Sequence, residues 1–141
     1  MTDTAKTTLI IEDDKTLLGM YRLKFEAAGM AFLGASTGEE GIKLAESKQP
    51  DLILVDLLLE NKVAGGKIDG FAVLAELKSN PKTKNIPMYA LTNLNQESDI
   101  KEAFKLGADG YLVKSDLTPK ELVENARKIF NGEKVGVKQV S

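Results

Sequence analysis

The chain has 141 residues, 43% hydrophobic and 28% charged, with a net charge of −2 and a pI near 5.3. That length suits one globular domain hiding about two-thirds of its unfolded surface, and the acidic balance argues against binding phosphate backbones. There is no cysteine and no histidine, which excludes disulfides, thiolate or imidazole metal sites and every Ser-His or Cys-His mechanism. Any chemistry must use carboxylates, hydroxyls and lysines. No run of about 18 apolar residues predicts a membrane span, and "MTDTAKTTLI" lacks the basic start and apolar stretch of a secretory signal. A cytoplasmic protein, away from membranes, is the expectation.

Apolar runs alternate with amphipathic stretches along the chain, the pattern of a parallel sheet with helical crossovers. "TTLIIED" predicts the first strand and Lys15 to about Ala28 the first helix, closed by Gly29. "MAFLGA" is the second strand, and Thr37 with Glu40 predicts a capping box opening the second helix. After Pro50, "DLILV" reads as a third strand buried on both faces. A loop from Leu57 to about Lys67 leads to the third helix, "IDGFAVLAELKSN". "MYALT" after Pro87 is the fourth strand, about 96–105 the fourth helix, and "GYLV" the fifth strand. "TPKELVENARKIF" carries a Thr118 cap, Pro119 at the first helical position and Glu121 to complete a second capping box. The expectation is a single domain over 1–141, with a core of about 7–130 and a polar, frayed tail over 131–141.

Four of the five predicted strands end in a polar side chain. Glu12 and Asp13 follow the first, Asp56 the third, Thr92 the fourth and Lys114 the fifth. In open parallel sheets the carboxyl ends of the strands bound the ligand crevice, so these groups are placed to converge. Each has a plain reading by itself. Asp14 suits a helix cap, Thr92 a strand-end hydroxyl on local backbone, Lys114 a solvated lysine, and Asp56 a structural acceptor. Charge balance favours the joint reading. Three crowded carboxylates would force a proton onto one of them unless cations intervene, and Lys114 supplies one positive charge. A hard divalent cation such as Mg²⁺, on oxygen ligands, is the natural remainder. Thr92 and Lys114 then suit phosphoryl oxygens, and Asp56 is a carboxylate able to accept a phosphoryl group.

"LIIEDD", "LILVD", "IDGFAVLAELK", "YALT" and "GADGYLVK" together resemble the receiver domain of bacterial two-component response regulators, over about residues 7–130. The resemblance implies a doubly wound, flavodoxin-like α/β fold with strand order 2-1-3-4-5. It implies Glu12 and Asp13 as the metal-binding acidic pair and Asp56 as phosphoacceptor and metal ligand. The backbone carbonyl of Leu58 would be a further ligand, with Mg²⁺ as cofactor. Thr92 and Tyr111 would form a switch, with Tyr111 turning inward on phosphorylation and reshaping the face of helix four, strand five and helix five. A sensor histidine kinase or histidine phosphotransfer protein would donate the phosphoryl group to this regulator, which is not an enzyme beyond its own phosphoryl transfer and dephosphorylation. The output would be a downstream protein target rather than nucleic acid, from a monomer or weak phosphorylation-dependent dimer. Because the chain stops after the fifth helix, a stand-alone receiver is expected.

Some residues depart from the family pattern. "LLLENKVAGGK" is longer than usual, Asn93 follows Thr92 where a small residue is common, and Ser115 replaces the usual proline after Lys114. A trans Lys114–Ser115 bond is expected, since cis without proline costs about 2.5–4 kcal/mol. Leu58 and Leu94 flank the site where polar residues would orient water, so slow loss of the phosphate is expected. Two alternatives remain: a receiver-like binding module that works without phosphorylation, and an aspartyl-nucleophile phosphohydrolase. The latter lacks its acid/base carboxylate, since Leu58 stands two residues after Asp56.

Overall fold

The computed structural model describes residues 5–59 and 69–139. Five parallel strands, β1 (Thr7–Ile11), β2 (Ala31–Ala35), β3 (Leu52–Val55), β4 (Met88–Thr92) and β5 (Gly110–Val113), form one sheet in the order β2-β1-β3-β4-β5. The crossovers are α1 (Lys15–Ala27), α2 (Gly38–Lys48), α3 (Gly70–Ser79) and α4 (Glu97–Lys105), and α5 (Pro119–Phe130) follows β5. This is the doubly wound, flavodoxin-like arrangement expected from the sequence.

Alternation along β3 explains why its sequence, LILV, is apolar throughout. Ile53 and Val55 join Leu9, Ile11, Val73 and Leu77 in a core on the face of α2, α3 and α4. Leu52 and Leu54 join Ile10, Phe25, Leu91, Leu122 and Ala126 beneath α1 and α5. Successive side chains point to opposite faces, and both faces are covered, so neither half of the period can be polar. Each fully buried Leu or Ile contributes about 1.5–3 kcal/mol.

The helix caps follow the sequence with one difference. Thr118 and Glu121 bond reciprocally, as a capping box should. At α2, Thr37 accepts from the Glu40 amide, but the Glu40 carboxylate accepts from the Ser36 N–H, one residue before the cap. Asp14 and Asp69 accept from the amides of Leu17 and Ala72 and cap α1 and α3. The plain reading of Asp14 is therefore the observed one.

The tail does not fray directly after α5. Gly132 sits at φ +86 past the helix end, and the chain then returns along β5, with Val137 bridged antiparallel to Tyr111. Val135 and Val137 pack against the two cores. Two valines and an open sheet edge outweigh the polar composition on which the expectation of a loose tail rested. Most of the long loop, residues 60–68, lies outside the described residues.

Candidate functional site

The ladder hydrogen bonds place the acids. The amide of Glu12 donates to the Ala35 carbonyl at 2.9 Å and that of Asp56 to the Ile11 carbonyl at 3.0 Å, so both continue the parallel pairing one residue beyond their strands. They emerge side by side at the same rim. Glu12 and Asp56 are buried, at 1% and 5% exposure, and Asp13 is half-buried. One carboxylate oxygen from each of Glu12, Asp13 and Asp56 lies within 4.8 Å of the others.

Lys114 enters this cluster from the end of β5. Its ammonium donates to Asp56 Oδ2 at 2.8 Å and to Glu12 Oε1, with 13% of its side chain exposed. It is not a solvated surface lysine. The remaining oxygens are held by backbone: Glu12 Oε2 accepts from the Asp14 amide and Asp56 Oδ1 from the Leu58 amide, both at 3.0 Å. Burial raises the Glu12 carboxyl above the ordinary carboxylate range and the Asp56 charge adds to this, while Lys114 and the Asp14 amide oppose it. Burial pulls the Lys114 ammonium down, yet its hydrogen bonds to Asp56 and Glu12 outweigh this and leave it above the ordinary lysine value.

Among the described residues, three carboxylates gather around the one ammonium of Lys114, and Glu12 and Asp56 are almost wholly shielded from water. This donor set, all oxygen and clustered within the span of one ion, fits a hard divalent cation. The fit rests on side chains of Glu12, Asp13 and Asp56; Leu58 contributes an amide to Asp56, and its own side chain is exposed at 51%.

Thr92 is fully buried at the end of β4, and its Oγ1 accepts from the Leu94 amide at 3.3 Å. Its hydroxyl thus makes the local contact of the plain reading. Tyr111 is also fully buried, and its hydroxyl donates to the Leu94 carbonyl at 2.6 Å. The inward position that the resemblance ties to phosphorylation is already occupied. Burial, with lesser contributions from Asp99 and Asp56, pushes the Tyr111 phenol up to about 12.

Three features of the site were not read from the sequence. Asn93 Oδ1 accepts from the Ser115 N–H at 2.9 Å, joining the loops after β4 and β5 through a donor that a proline there would lack. A short 3₁₀ turn runs over Lys114–Asp116, past a Lys114–Ser115 bond that is trans as the sequence led us to expect. Gly70, at the start of α3, lies against the Asp56 segment: a Cβ there would sit 2.0 Å from the Asp56 carbonyl oxygen and 2.4 Å from Leu57 Cα. The "IDG" motif marked the helix start but not this close approach.

The comparisons with known proteins agree with the geometry. The family described as "Response regulator receiver domain" matches residues 8–127. The DNA-binding dual master transcriptional regulator RpaA of Synechocystis is 40% identical over 106 residues, 75% of this chain and 42% of that protein. The nitrate/nitrite response regulator protein NarL of Escherichia coli is 35% identical over 138 residues, 96% of this chain and 60% of that protein. The chain therefore spans about half the length of such curated relatives. Among solved structures, the receiver domain of the Francisella response regulator 1452 has a TM-score of 0.76 at 25% identity, covering 90% of this chain and 98% of that one. A CheY-like receiver domain protein from Methanospirillum hungatei shares the fold, with a TM-score of 0.79 at 22% identity over 92% of this chain and 96% of that one. With its match running from β1 into α5, the chain belongs to the response regulator receiver domain family.

Proposed function

We propose that this domain accepts a phosphoryl group on Asp56 from a histidine-phosphorylated donor, with Mg²⁺, and signals through the face of α4, β5 and α5 to a protein target. The observation that carries the reading is the Lys114 ammonium bridging Glu12 and Asp56, with Asp13 beside them. Glu12, Asp13, Asp56 and the Leu58 carbonyl would hold the metal, whose charge would offset that of the incoming phosphoryl oxygens. The Asp56 oxygen attacks phosphorus and the donor's bond to phosphorus breaks, leaving an aspartyl phosphate. Lys114 donates to the transferred group. The Thr92 hydroxyl exchanges the Leu94 amide for a phosphoryl oxygen, which frees the Leu94 backbone that also holds Tyr111. The domain is a signalling element and catalyses only its own phosphoryl transfer and hydrolysis. Leu58 and Leu94 offer no side chain to orient a water, so hydrolysis is slow.

Incubation with acetyl phosphate and Mg²⁺ tests this by intact mass. Wild type should gain one phosphoryl group and Asp56→Asn none; equal labelling of the two would end the proposal.

The inward Tyr111 favours a second reading, a receiver that contacts its partner constitutively. Under that reading Mg²⁺ at millimolar concentration would not bind, and Asp56→Asn would leave partner binding unchanged.

A further inference from the structure

The outer edge of β5 is where the parallel sheet would leave backbone groups unpaired, and exposed edges recruit other strands. In this chain the edge is occupied by the chain itself. The Val137 N–H donates to the Tyr111 carbonyl at 2.8 Å, in an antiparallel bridge. Gly136 beside it has φ +80, and a Cβ there would lie 2.3 Å from the Tyr111 carbonyl oxygen and 2.7 Å from the Leu112 side chain. A residue with a side chain would have to lift the segment away.

The left-handed glycine does a second thing. Residues two apart in a strand face the same side, yet Val135 packs on the α1/α5 core and Val137 on the core that contains Tyr111. The turn at Gly136 lets the segment straddle the edge strand. The backbone of Val135 also faces the Tyr89 hydroxyl. On either side run shallow grooves, one lined by Phe104 and Asp109, the other by Asp116 and Asn125. The exposed lysines Lys134 and Lys138 flank the valines.

The hold is light. Both valines are only half-buried, and α5 has already been closed by Asn131 and Gly132, so no helix depends on the segment staying in place.

We propose that the β5 edge is a strand-accepting interaction surface and that residues 134–139 are its resident, displaceable occupant. The partner it fits is an extended protein segment with a small residue between two branched aliphatic ones, flanked by basic residues as Lys134 and Lys138 flank these valines, with the exposed Asp116 beside the edge. This rests on the reading that the α4, β5 and α5 face signals to a protein, and adds that the chain covers the edge until such a segment replaces its tail.

The test uses the full chain and, as probe, a synthetic peptide of residues 131–141, without phosphodonor or Mg²⁺. In wild type the Val137 amide should exchange at least about tenfold more slowly than in the free peptide. In Gly136→Val this protection should vanish while the sheet amides keep theirs. The peptide should then bind Gly136→Val, shifting the Tyr111 and Leu112 resonances, and leave wild type unperturbed. Val137→Pro, which removes the donor, should behave as Gly136→Val does. Free-peptide exchange of Val137 in wild type, equal binding to both proteins, or no binding to either variant would overturn the proposal. Labelling at Asp56 plays no part in these outcomes, so a failure of the phosphoacceptor reading would show separately.

Discussion

Thr92 and Tyr111 are held by the backbone of one residue: Leu94 donates its N–H to Thr92 Oγ1 at 3.3 Å and takes the Tyr111 hydroxyl on its carbonyl at 2.6 Å. Under the proposed function, a movement of Thr92 toward a phosphorylated Asp56 would withdraw the first bond and leave the loop that carries the second free to shift. The two ends of the proposed switch are thus linked through the backbone of Leu94, though they lie on different strands.

The Tyr111 phenol, raised by burial to about 12, gives this contact a pH signature. A group whose folded value lies above its unfolded value, about 10 for tyrosine, contributes stability that is complete below the unfolded value and lost as pH rises through the folded one. Stability should fall between pH about 10 and about 12, by roughly 2–3 kcal/mol from this group. Tyr111→Phe should lessen that fall in urea melts, the remainder coming from Tyr21, Tyr89 and Lys114, which are raised in the same direction, and cost about 1 kcal/mol at neutral pH through the lost hydrogen bond. An unchanged alkaline profile would show that another tyrosine dominates.

Lys114 bridges two buried carboxylates at once. Lys114→Met leaves both without a countercharge, and breaking a buried pair on one side costs about 3 kcal/mol or more. The prediction is a loss of about 3 kcal/mol in metal-free denaturation, partly recovered in Mg²⁺. A loss below about 1 kcal/mol would mean that solvent already screens the acids.

Asp13 should act through the metal. It adds a third carboxylate within 4.8 Å of two others, and Asp13→Asn takes one charged oxygen ligand from that set. The same change should abolish the stabilisation by millimolar Mg²⁺ expected of wild type, because binding to the folded state alone is what stabilises. Paired thermal melts with and without Mg²⁺ measure this. A variant that still responds to Mg²⁺ would contradict the assignment.

Two glycines separate close approach from helix propensity. Gly70→Ala drives a Cβ into the backbone of Asp56 and Leu57; it should cost about 2–3 kcal/mol and slow phosphorylation by moving the acceptor segment. Gly19, exposed in α1, has nothing within 4 Å of an added Cβ. Gly19→Ala should stabilise by about 0.5–1 kcal/mol. Urea denaturation of the two variants checks the contrast.

Much of this arrangement was legible before any coordinates. The strands were, because "LIIED" and "DLILVD" are too short and too uniformly apolar for anything but a sheet covered on both faces. The acids were, because a carboxylate ending such a run has to be compensated. What stayed hidden depends on contacts between distant segments. The Asn93–Ser115 bond joins residues 22 apart, and neither one signals the other. Gly136 looks like a tail glycine until its distance to the Tyr111 carbonyl is known. The inward state of Tyr111 is a choice between rotamers, made by the Leu94 carbonyl and by packing, and no residue pattern encodes it. Nor could spacing tell that the Thr92 hydroxyl would already be engaged by a backbone amide.

The central claim is that Asp56 is the residue that carries the phosphoryl group. Reductive trapping with borohydride after exposure to acetyl phosphate and Mg²⁺, followed by peptide mass mapping, reads this directly, since an acyl phosphate is reduced to the alcohol where it formed. The account predicts homoserine at position 56 alone, dependent on Mg²⁺ and absent from Asp13→Asn. Modification at any other carboxylate, or none at 56 in folded wild type, would contradict it.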